Sequence, residues 1–162
     1  MHFSTLTLSA LAALSAVTAS PSSRSLTQRS CLEQQPATIG FPINYNVSST
    51  RADAVTFQLP PNSVGPCTLV AKFPAGYAVP HSEVGNPLVN VIDINGPVQG
   101  SVVGSLRFAS FADRDSLVYI NSFQCRDVME YELELAPEEP ESAWVAFAEV
   151  LDVGLVMDVG DC

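Results

Sequence analysis

Met129-Glu130-Tyr131-Glu132-Leu133-Glu134-Leu135 alternates apolar and acidic side chains without interruption. Successive side chains of an extended strand point to opposite faces, so Met129, Tyr131, Leu133 and Leu135 share a face that can be buried while the glutamates meet water. Shorter segments of the same kind flank it. Residues 38–47, 54–59, 67–73, 88–94, 102–109, 116–124, 143–150 and 153–159 are strand candidates. Turn formers punctuate them, among them Pro60-Pro61-Asn62, Asn95-Gly96-Pro97 and Pro137-Glu138-Glu139-Pro140. Trp144-Val145-Ala146-Phe147-Ala148 is the awkward member, because large residues at 144 and 147 match neither a two-residue period nor a helical one; it is read as a strand. No window sustains helical periodicity over several turns, and prolines occur throughout. The fold class predicted is all-β, an antiparallel β-sandwich of about 8–9 short strands held by disulfides.

Ahead of the strands, residues 6–17 (Leu-Thr-Leu-Ser-Ala-Leu-Ala-Ala-Leu-Ser-Ala-Val) form an apolar run, short of the roughly 20 residues that a bilayer span requires. Val17-Thr18-Ala19 supplies the side chains a signal peptidase reads, so residues 1–19 are expected to be a signal peptide cleaved after Ala19, although the n-region has no Lys or Arg. Residues 20–30, Ser-Pro-Ser-Ser-Arg-Ser-Leu-Thr-Gln-Arg-Ser, are too polar to pack and are expected to be a flexible lead-in. Residues 31–162 then form a single β-sandwich domain. With about 143 residues left after cleavage, such a chain can bury roughly 68–70% of its unfolded surface. No later stretch has membrane length and the C-terminus lacks a lipid-anchor tail, so the expected location is secreted, extracellular or cell-wall associated.

Export sets how Cys31, Cys67, Cys125 and Cys162 are read. An even set without any C-x-x-C spacing is a disulfide framework in an oxidising compartment, where the same residues in the cytosol would suggest metal or redox chemistry. Four cysteines allow three pairings, and spacing does not choose among them. A cysteine at the last position is most simply a staple for an end that would otherwise fray. The expected arrangement is nested, Cys31 with Cys162 across the two ends and Cys67 with Cys125 inside.

The formal charge is −10, and after Arg126 eleven Asp and Glu follow with no Lys or Arg. Such a surface repels phosphate backbones and anionic lipid, so neither nucleic acid nor a membrane is an expected partner. Outside the leader the single histidine is His81. A Ser-His-Asp constellation would have to gather around it without a G-x-S-x-G elbow, and one histidine among disulfide-bound cysteines cannot furnish a zinc set. Asp113-Arg114-Asp115-Ser116 has the acids of a calcium loop but not the glycine or distal glutamate, and a turn capped by Asp explains it. Paired carboxylates for glycoside hydrolysis are defined by separation in space. Alternation accounts for Glu130, Glu132 and Glu134, and a turn for Glu138, Glu139 and Glu141; Asp93, Asp152 and Asp158 are left as the acids with unusual surroundings. No catalytic residue, metal ligand or cofactor site is assigned.

Asn46-Val47-Ser48 is the one N-glycosylation sequon, and Asn46 is expected to carry a glycan provided it lies at an exposed strand end. The loop 74–87, Pro-Ala-Gly-Tyr-Ala-Val-Pro-His-Ser-Glu-Val-Gly-Asn-Pro, is the longest irregular segment. Tyr77 and His81 at its centre are the candidate ligand-binding residues, with a passive strand connection as the alternative.

Several segments carry a family likeness when taken in order: Pro36-Ala37-Thr38-Ile39-Gly40-Phe41-Pro42, Phe57-Gln58-Leu59-Pro60-Pro61, Cys67-Thr68-Leu69-Val70-Ala71-Lys72-Phe73-Pro74, Asn90-Val91-Ile92-Asp93-Ile94, Ile120-Asn121-Ser122-Phe123-Gln124-Cys125 and Gly154-Leu155-Val156-Met157. Together they resemble the C-terminal domain family of fungal ubiquitin-three-binding proteins, over nearly the whole domain from about Cys31 onward. The resemblance implies an all-β, non-enzymatic domain, secreted or wall-associated in many relatives, and maps Cys67 and Cys125 as a structural pair. It offers no catalytic residues. Its namesake's partner, the activating enzyme of a ubiquitin-like modifier, belongs inside the cell and does not carry over to an exported chain. The expected function is a secreted fungal binding or structural module that meets an extracellular protein or glycan. The alternative is a polysaccharide-acting hydrolase using paired Asp and Glu.

Overall fold

The computed structural model describes residues 31–37, 43–160 and 162. The expected signal peptide (1–19), the lead-in (20–30) and the beginning of the first predicted strand (38–42) lie outside them. The described residues form ten strands and no helix: β1 Leu32–Gln34, β2 Ile43–Ser48, β3 Asp53–Gln58, β4 Pro66–Phe73, β5 Val89–Asp93, β6 Val102–Leu106, β7 Ser116–Gln124, β8 Val128–Leu135, β9 Trp144–Glu149 and β10 Gly154–Val159. The predicted all-β class holds. β1 is an addition, a three-residue strand directly after Cys31 that is too short to leave a period in the sequence.

Every pairing is antiparallel. One sheet has the order β1-β10-β4-β7, a second β3-β8-β5-β6, and β2 with β9 makes a two-stranded ribbon. The segment that decided the fold class behaves as alternation demands: in β8, Met129, Tyr131 and Leu133 are buried, and Leu135 packs against the same core from its rim. Leu69, Ala71 and Phe73 of β4 and Leu155, Met157 and Val159 of β10 meet them across the interior. Each Leu, Val, Met or Phe among them contributes about 1.5–3 kcal/mol by leaving water.

The ribbon closes one side of the sandwich. It is joined to β3 by the Ser48–Arg51 turn and to β10 by the Val150–Val153 turn. Its inward residues Tyr45, Val47, Val145 and Phe147 complete the core, with Tyr45 and Phe147 rings 5.0 Å apart. The other side is closed by β6 and β7. The register of β7 on β4 jumps from Leu69↔Asn121 to Val70↔Tyr119, so Ile120 is the extra residue of a bulge. Ile120 leans on Gly104 of β6, where an added Cβ would come within 2.6 Å of it, and Asn121 Nδ2 donates to Val103 O at 2.6 Å. Only glycine tolerates that approach between the two sheets.

The cysteines pair as Cys31–Cys162 and Cys67–Cys125, the nested arrangement expected. Leu32 pairs with Val159, Val159 with Cys67 and Cys67 with Phe123, so both bridges lie at one end of the same sheet. One ties β1 to β10 and the other ties β4 to the residue after β7. All four strands of that sheet are thereby fastened.

Candidate binding surface

The fastened sheet turns Leu69, Ala71, Met157 and Leu155 inward, which leaves the alternate residues on its outer face. They stand in cross-strand rows. Glu33, Asp158, Thr68 and Ser122 form the row nearest the disulfides, and Val156, Val70 and Tyr119 the next, in which Val156 and Val70 are buried and only Tyr119 is exposed. Lys72 follows, between Gly154 and Leu117. The bulge at Ile120 resets β7 so that Tyr119 faces outward, where it is 64% exposed.

A groove of about 490 Å³ lies at the disulfide end of this face, lined by Thr68, Tyr119, Asn121, Ser122, Asp158 and Cys162 among others. Thr68 Oγ1 and Ser122 Oγ share a hydrogen bond of 2.7 Å. Asp158 is only 9% exposed, and its carboxylate accepts no hydrogen bond from the described residues. Burial, and then the negative charge of Glu33, raise its pKa above the ordinary carboxylate value, while Lys72 opposes them. Glu33 is itself neutralised by Lys72 Nζ at 2.9 and 3.2 Å. A flat apolar ring, an acceptor without a protein donor and two hydroxyls thus share one rigid surface. Such a set can hold a polyhydroxylated ring by one face and by its edge.

Of the acids singled out in the sequence only Asp158 lines this groove; Tyr77, His81, Asp93 and Asp152 are not part of its lining. Loop 74–87 runs along the free edge of β9: Ser82 N–H donates to Trp144 O at 2.9 Å, and Ala146 N–H to Pro80 O at 2.9 Å. Half-buried Tyr77 continues this pairing through its side chain. Its hydroxyl donates to Ala148 O at 3.3 Å and accepts from Ala148 N–H at 3.0 Å. His81 is exposed, with Nδ1 3.0 Å from Ser82 O. Asp93 is buried, and its carboxylate accepts from Gly96 N–H at 2.7 Å and Val98 N–H at 3.2 Å, which shapes its own turn. Asp152 is exposed beside Lys72 at 3.5 Å. Asp115 accepts from Ala75 N–H at 2.9 Å, and Arg114 stacks over Phe111, so these two residues of the Asp113–Ser116 turn are already engaged within the fold. Among the described residues, the one trio of metal-type side chains within reach of a common ion is Cys31, Asp158 and Cys162, whose sulfurs are bonded to each other.

The expectation that Asp93, Asp152 and Asp158 are the acids with unusual surroundings needs correction, because the most perturbed acid is Glu149. It is 0% exposed, faces the core from the end of β9, and burial pushes its pKa up to about 8. Oε2 accepts from Leu155 N–H at 2.8 Å, and Oε1 has no partner. Its signal in the sequence was position: Val145, Phe147 and Glu149 alternate strictly, with an acid where the core expects an apolar residue.

Asn46 is exposed and lies inside β2, two residues before the strand ends at Ser48, rather than at the strand end the sequon reading asked for. No family model, curated protein or solved structure matches the chain, so the family likeness rests on the quoted segments alone.

Proposed function

We propose that this chain is a secreted, non-enzymatic fungal binding module that takes a neutral glycan of the cell wall or extracellular space in the groove between Tyr119 and Asp158. The observation that carries this reading is the coincidence of the groove with the disulfide-fastened end of the sheet. Holding β1, β10, β4 and β7 at that end removes motion that a ligand would otherwise have to freeze, and such pre-organisation raises affinity. Bridges of this kind also suit a protein that works in an oxidising space. The acidic chain favours uncharged polymers over anionic ones. Tyr77 has already spent its hydroxyl on β9, which favours the groove over loop 74–87 as the contact surface.

One observation supports the hydrolase alternative: Asp158 stands directly across from Glu33, and its pKa is raised in the direction a general acid needs. Incubating the secreted protein with a panel of insoluble wall polysaccharides and soluble glycans separates the two. Retention without product is expected, weakened about tenfold by Tyr119→Ala or Asp158→Asn, a loss of about 1.4 kcal/mol. Product release abolished by Asp158→Asn would replace binding with hydrolysis. Indifference to every glycan would remove the proposal.

A further inference from the structure

A second groove, of about 560 Å³, lies on the outer face of the β2–β9 ribbon, and Asn46 is part of its wall. The remaining wall is Ser48, Ser49, Thr50, Glu141, Ser142, Ala143 and Trp144, which sets four hydroxyls and one carboxylate about a single large aromatic ring. Trp144 is the only tryptophan of the chain and is 37% exposed, although β9 has an inward face on which it could have been buried. The register explains how it meets the sequon. Ser48 pairs with Trp144 and Asn46 with Ala146, so Asn46 and Trp144 are diagonal neighbours on one face, about 7–8 Å apart. The small side chain of Ala146 opposite Asn46 leaves that diagonal open. Among the described residues the Asn46 side-chain amide makes no hydrogen bond, the backbone N–H alone being engaged, with Asp53 Oδ2 at 2.6 Å.

Trp144 is also held in place. β2 pairs with β9 on one side, Ser82 N–H reaches Trp144 O on the other, and Ser49 Oγ donates to Glu141 O at 2.8 Å across the groove. A solvated indole fixed beside an unengaged sequon amide, with hydroxyls around it, is a seat for a sugar.

From this geometry we infer that the groove holds the first sugar of the protein's own glycan: an N-acetylglucosamine on Asn46 lies over the Trp144 ring and within reach of the surrounding hydroxyls. Attachment forms the bond between Asn46 Nδ2 and C1 of the sugar; Nδ2 gives up a proton and the lipid pyrophosphate of the donor oligosaccharide leaves. The inference rests on the export half of the proposed function, since that donor is met in the secretory pathway, and it is independent of the Tyr119 groove.

The test uses the full chain, leader included, expressed in a eukaryotic secretory host beside Asn46→Gln. Material from the medium is trimmed by an endoglycosidase to a single N-acetylglucosamine, checked by mass, and the fluorescence of its one tryptophan is quenched with acrylamide. Covering one of the two indole faces is expected to lower quenching about twofold relative to Asn46→Gln. The single-sugar form is also expected to melt about 2–4 °C higher, a gain lost in Trp144→Ala and kept in Trp144→Phe. Sugar present with unchanged quenching overturns the seat and leaves export standing. Exported protein with unmodified Asn46 does the same, whereas a chain that never reaches the medium overturns both.

Discussion

Glu149 carries a proton that an unfolded chain would release. Its carboxyl is raised from 4.5 to about 8 by burial, and burial likewise raises the pKa of the Tyr45 phenol. Between those two values the native state binds the extra proton. This contribution to stability is therefore full below about pH 4.5 and is lost as pH rises through about 8, with a slope of up to about 1.4 kcal/mol per pH unit. Asp158, also raised, acts in the same direction. Glu149→Gln keeps an acceptor for Leu155 N–H and has no proton to lose. Urea unfolding of this variant is expected to match wild type near pH 4.5, to exceed it at pH 8, and to lack most of the slope; parallel curves would mean that Glu149 is ionised in the fold. Gly154 belongs to the same arrangement. Its φ of 106° and the carboxylate packed against its Cα leave no place for a side chain, so Gly154→Ala is expected to cost several kcal/mol.

β9 shows how one residue can hide an entire strand. Once Glu149 is counted among the inward positions, Val145, Phe147 and Glu149 alternate cleanly with Trp144, Ala146 and Ala148. The sequence pattern looked aperiodic because the large aromatic faces water and the acid faces the core, the reverse of what burial statistics favour. β7 was legible as a strand, but its bulge at Ile120 was not, since a bulge is defined by the partner strand. Loop 74–87 was legible as irregular; that it lends its backbone to the edge of β9 was not. Tyr77→Phe is expected to leave the Ala148 N–H and C=O without partners and to lower stability by about 1–3 kcal/mol. Amide exchange at Ala148 should quicken while glycan retention in the Tyr119 groove is unchanged. Unchanged exchange there would mean that the hydroxyl contributes little.

Removing the end-to-end bridge tests the molecule as a unit. The Cys31–Cys162 bridge spans 131 residues of sequence, and the loop it closes is long enough that Cys31→Ala with Cys162→Ala is expected to cost about 2–5 kcal/mol. Amide exchange should rise at Leu32–Gln34, whose three-residue strand has β10 as its neighbour in the sheet, and stay slow in β8. Equal protection of β1 with and without the bridge would show that pairing alone holds it. The all-β class, the strand faces of β8 and a paired set of cysteines could be read from the chain, because alternation, turn chemistry and cysteine parity are local or compositional. The closing of both bridges on one sheet end, the Tyr119–Asp158 groove, the meeting of Trp144 with Asn46 and the burial of Glu149 could not. Each joins residues from different strands, and which face of a strand is covered depends on what the rest of the chain packs against it.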